Sequence, residues 1–126
     1  MDKEFILYEQ ALELKELGFD ELCFGYYNYQ NNIVYDVMKN SDYNYSRRDF
    51  ISAPLYQQAF KFFRDKYNID SEFYMNHEYG IKFYAYLLLE LKGSVITHLS
   101  GFSGRFETHE ETQLECVKKL IEILKK

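Results

Sequence analysis

SEFYMNHEYGIKFYAYLLLELKGSVITHL, residues 71–99, is the longest stretch with one consistent reading. SEFYMN and IKFYAYLLLEL (81–91) form a strand pair turned at HEYG. In the second strand Ile81, Phe83, Ala85 and Leu87 alternate against Lys82, Tyr84, Tyr86 and Leu88, the two-residue period of a sheet. SVITHL (94–99) offers a fifth strand, although the surrounding segment 92–106 reads first as a mobile loop leading into the last helix. The apolar run YAYLLLELKG is broken by Glu90 and is far short of the roughly 20 residues a membrane span needs.

Upstream, LCFGYYN (22–28) and IVYDVM (33–38) are aromatic and β-branched, and NYQNN separates them, so a hairpin is expected there. Three helices complete the pattern. The first covers residues 3–17, with Phe5, Tyr8, Ala11, Leu12 and Leu14 at helical spacing. Gly18 is its stop, and Phe19 is positioned to fold back on Leu14. Residues 39–51 carry turn formers without a period and read as a loop. The second helix enters at Ser52 or Ala53 with Pro54 in its first turn; Leu55, Ala59, Phe60, Phe63 and Tyr67 form its inner stripe, and Phe62 falls outside it. The third opens on Thr108 and Glu111, spaced as a capping box, and continues through Leu114, Val117, Ile121 and Leu124. The expected fold is therefore α+β, a single domain over 1–126. Its antiparallel sheet has four to five strands with three helices, in the order α-β-β-α-β-β-(β)-α.

ALELKELGFDELCFGYYN (11–28), SAPLYQQAFKFFRDKYNI (52–69) and ETQLECVKKLIEILK (111–125) together resemble a group of small phage and prophage proteins of Bacteroidetes-type bacteria. The resemblance implies a small accessory protein working inside the host cell. It brings no activity and no catalytic residues with it. Segments 29–51 and 92–106 resemble the group least, which is where a specialised task would lie.

Composition narrows the function. A net charge of -5 argues against nonspecific binding to nucleic acid, whose phosphates reward clustered Lys and Arg. The N-terminus MDKEFILYEQ is acidic where a secretion signal is basic, so the host cytosol is the expected compartment. Cys23 and Cys116 form no CxxC pair and read as reduced, buried thiols. His77, His98 and His109 lack the close pairing of zinc sites, so no metal and no cofactor are expected. No GxSxG turn marks a nucleophile and no pair of carboxylates is singled out for acid–base work, so the chain is not read as an enzyme.

What remains is recognition. Tyr26, Tyr27, Tyr29, Tyr35, Tyr43 and Tyr45 crowd the stretch 26–45, and Arg47 and Arg48 follow. Tyr26 and Tyr35 are assigned to packing on the sheet. Tyr29, Tyr43 and Tyr45 have no apolar partner in the local sequence, and rigid rings with a polar tip suit contact surfaces. Ser100, Ser103 and Arg105, beside Gly101 and Gly104, offer donors to a phosphate without P-loop spacing. The leading expectation is a non-enzymatic binding module that engages a host protein or forms a homo-oligomer. The alternative is a sponge that sequesters a nucleotide signal of host defence between the tyrosines and residues 100–105.

Overall fold

Helix α1, Tyr8–Glu16, ends as its sequence dictates. In the computed structural model, which describes residues 2–43, 50–100 and 105–125, the Phe19 N–H donates to the Leu14 carbonyl at 2.9 Å and the Gly18 N–H to that of Lys15 at 3.0 Å. Gly18 lies at φ 96°, the left-handed setting that suits a residue without Cβ. Leu14 and Phe19 are both buried. The start of the helix differs from the expected residue 3. Asp2–Glu4 make a 3-10 turn, Phe5 forms an antiparallel bridge with Leu55, and the Ile6 N–H donates to the Pro54 carbonyl at 2.8 Å. A tertiary partner overrides the local helical pattern there.

The chain divides into two compact units, Met1–Ala59 and Phe60–Lys126, and the boundary falls within the second helix. In the first unit, β1 (Tyr26–Tyr27), β2 (Ile33–Val34) and β3 (Ile51–Ser52) form an antiparallel sheet in the order β2-β1-β3. Tyr26 faces Val34 on one side and Ser52 on the other. Ile51 closes the stretch expected to be loop, and Ser52 was the expected helix entry; both instead pair with β1. Helix α2, Tyr56–Tyr67, starts later than expected, so Pro54 precedes its first turn. Gln58 Oε1 accepts the Leu55 N–H at 3.0 Å while its Nε2 donates to the Leu22 carbonyl at 2.8 Å, closing the helix entry onto the hairpin. Phe5, Ile6, Leu14, Phe19, Cys23, Tyr27, Ile51 and Tyr56 make the core. The buried Tyr27 hydroxyl is satisfied by donating to the Ile6 carbonyl at 2.5 Å.

In the second unit β4 (Ile69–Glu78), β5 (Ile81–Lys92) and β6 (Val95–Ser100) form an antiparallel sheet in that order. The β4–β5 ladder is unbroken from Ile69–Glu90 to Glu78–Ile81. Two-residue turns join the strands. Tyr79 and Gly80 have φ 52° and 78°, as a type I′ turn requires, and Gly93 has φ 63° at the first position of the next turn. Helix α3, His109–Leu124, is capped at its start by the threonine half of the expected capping box: Thr108 Oγ1 accepts the Glu111 N–H at 3.1 Å. It packs on the sheet face of Phe73, Tyr84 and Tyr86; the His109 ring lies 5.6 Å from Phe73 and 5.9 Å from Tyr84. Cys116, Val117, Leu120 and Ile121 are its buried stripe, with Leu114 and Leu124 half-buried beside it. Phe62, expected to lie outside the core, is buried with its edge toward Phe63, while Phe60 is half-buried against Phe73.

The fold is thus α+β, with three α-helices and two three-stranded antiparallel sheets among the described residues, where one sheet of four to five strands was expected. The expected pairing of 22–28 with 33–38 is regular only at Tyr26–Tyr27 and Ile33–Val34, and the other side of β1 is taken by β3, from a segment read as loop and helix entry.

Burial pushes the Cys23 and Cys116 thiols up to about 12 from 9.0, and the Tyr56 and Tyr86 hydroxyls up to about 12 from 10.0. The fold favours the neutral form of each group. Their contribution to stability is whole below pH 9 and is lost as pH rises toward 12. The melting temperature is expected to fall progressively above pH 9, with neither thiol reacting with a disulfide reagent at neutral pH until denaturant is added. A thiol that reacts at once in the native protein would contradict the placement.

Candidate interaction surface

The first segment of the 22–38 hairpin alternates. Cys23, Gly25 and Tyr27 face inward and are buried, whereas Leu22 and Phe24 face outward and are exposed. Gly25 is needed at its position: a Cβ there would lie 3.2 Å from the Val34 carbonyl oxygen and 3.4 Å from the Phe5 ring. Cys23 and Met38 exchange backbone bonds at 2.8 and 3.1 Å. Between that bridge and the Tyr26–Val34 pair, residues 35–37 stand opposite residues 24–25, so the second segment carries one extra residue, a bulge. Tyr35, Asp36 and Val37 are exposed there. The loop is held by Asn28, whose Oδ1 accepts the N–H groups of Gln30 at 2.9 Å and Asn32 at 3.1 Å.

Four apolar side chains therefore stay in water on this hairpin, Leu22, Phe24, Tyr29 and Val37; Tyr35, though 54% exposed, sets its ring 5.8 Å from that of the buried Phe5, in keeping with its expected packing role. Beside them Tyr26 belongs to an aromatic trio. Its ring stacks on Phe50 at 5.3 Å, and Tyr43 sets its edge against both, at 5.8 Å from Tyr26 and 5.9 Å from Phe50. Burial pushes the Tyr43 hydroxyl up to about 12, opposed by the neighbouring Ser52 hydroxyl; neither oxygen completes a hydrogen bond among the described residues.

The sequence-derived candidates are placed as follows. Tyr29 is exposed at the hairpin loop, and Tyr43 is half-buried in the trio. Tyr45, Arg47, Arg48 and Ser103 lie outside the described residues. Ser100 closes β6 opposite Leu88, across a register shift after the Leu89–His98 pair. Arg105 is engaged: its guanidinium pairs with Glu78 and lies 4.7 Å over the Phe83 ring. Tyr29 and Tyr43 belong to the first unit, Ser100 and Arg105 to the second. The outward Leu22, Phe24 and Val37 were not singled out by sequence, although their two-residue spacing against Cys23 and Met38 held the signal.

The second unit has exposed apolar residues of its own. Met75 and Ile81 stand on the β4–β5 ribbon, and Tyr79 at its turn is 99% exposed. Among the described residues no group of three or more His, Cys, Asp or Glu is placed to hold a metal ion, and no helix is long and apolar enough to cross a membrane. No protein-family model, curated protein or solved structure matches the chain.

A bulky residue at positive φ carries backbone strain, of order 1 kcal/mol or more, and Tyr79 recovers none of it by burial. Tyr79→Asn, which supplies the residue this turn prefers, is expected to raise the unfolding free energy by about 1 kcal/mol in urea titration. A loss of stability would show that the ring packs on something.

Proposed function

We propose that the chain is a non-enzymatic binding module of phage or prophage type that engages a host protein in the host cytosol. Its contact surface is the outward side of the 22–38 hairpin, together with the Tyr26–Tyr43–Phe50 trio. The observation that carries this reading is the group of Leu22, Phe24 and Val37 on two facing segments, each more than half exposed. Apolar side chains gathered on one surface of a small domain forgo the stabilisation of burial, and such patches mark interaction sites. Rigid aromatic rings add contact area at low entropic cost. The inert thiols support a binding role over a nucleophilic one, because a thiol near 12 is not ionised at neutral pH.

Leu22→Ser with Phe24→Ser is expected to change stability by no more than about 0.5 kcal/mol, since both side chains are exposed. The double variant should lose the host protein that the wild-type chain retains in a pull-down. Retention of the same protein at wild-type yield rejects the surface. Nucleotides are expected to leave the melting curve unmoved. Stabilisation of about 2.7 kcal/mol at a hundred times the dissociation constant would instead favour the sponge.

A further inference from the structure

The β4-β5-β6 sheet has two outer edges of opposite character. Among the described residues β4 and β6 each pair only with β5, so each presents one row of free backbone groups. The β4 edge carries Asp70, Glu72 and Glu78, of which Asp70 and Glu78 are paired with Arg64 and Arg105, and charged residues on an edge strand disfavour further pairing. The β6 edge has no such guard. From Gly93 to Gly104 the sequence contains no Asp, Glu, Lys, Arg or Pro. Its Val95, Ile96 and Thr97 favour extended backbone, and Val95 and Ile96 are 62% and 64% exposed.

We propose that β6 is a self-association edge, on which a second copy of this chain adds its own β6 antiparallel across a two-fold axis. The occupant follows from charge. A chain of net charge -5 repels its own copies over most of its surface. The neutral β6 strip is where two copies meet without opposing carboxylates. Antiparallel addition is isologous, so each strand supplies donors and acceptors to the other and the pairing is complete at two copies. The product is a six-stranded sheet that runs β4-β5-β6 and then β6-β5-β4 of the second copy. Its two outermost strands are the acidic β4 edges, which stop further growth. Leu91, paired with Ile96 across the β5–β6 ladder, adds apolar surface next to the junction. This inference does not depend on the hairpin surface of the other unit.

The test is the mass of the full chain in solution, by size exclusion with light scattering over a hundredfold range of concentration. The wild-type protein is expected to approach twice 15.3 kDa as concentration rises. Thr97→Lys and, separately, Ile96→Lys place like charges across the junction and are expected to hold the mass at 15.3 kDa with unchanged circular dichroism. The Leu22→Ser, Phe24→Ser protein is expected to associate like the wild type. A wild-type chain that stays at the single-chain mass overturns the proposal. So does a double mass that survives both lysine variants, or one abolished by the hairpin variant.

Discussion

Ala85, Tyr86, Leu87 and Leu88 are buried in succession, so both faces of β5 are covered at its centre, and the β4–β5 ladder is fastened to that short anchor. A strand of 12 residues extends about 40 Å, far beyond what four covered positions can span. The ladder continues in both directions because backbone hydrogen bonding requires no core, only a partner strand in register. The ribbon ending in Tyr79 and the exposed β5–β6 end both follow from this disparity between strand length and core length.

The first unit reaches a similar result by another route. Its strands are two residues long, and much of its order comes from side chains that bond to backbone. Gln58 links the entry of α2 to Leu22. Asn40 donates to the Phe19 carbonyl at 2.7 Å and accepts the Ser52 N–H at 2.9 Å. Such links fix the hairpin without covering its outer side. With Cys23, Gly25 and Tyr27 committed inward, period-two geometry forces Leu22 and Phe24 outward.

What the sequence made legible was local. The Gly18–Phe19 stop of α1, the Thr108 cap of α3 and the turn between β4 and β5 each depend on residues within a few positions of one another, and each is found where expected. The segment 92–106, read first as a loop, instead contains β6. The departures have distant causes. Phe5 and Ile6 fit a helical stripe until Leu55 and Pro54 are brought to them. Ile51 and Ser52 become a strand only because Tyr26 and Tyr27 are presented opposite. Tyr43 looked partnerless because Tyr26 is far upstream and Phe50 is on another segment. The candidate surface was legible to the same degree: its tyrosine richness was plain, whereas the aliphatic share required knowing which face of the hairpin was occupied.

The Phe5–Leu55 bridge has a consequence for how the chain assembles. The β4–β5 and β5–β6 pairings of the second unit are between consecutive strands, and hairpins of that sort close within microseconds. The first unit must bring together positions fifty apart, with a chain-closure entropy that only the finished contact offsets. On a ribosome Phe5 therefore emerges long before its bridging residue, and until Leu55 follows its ring has only the earlier hairpin, at Gly25 and Tyr35, to pack on.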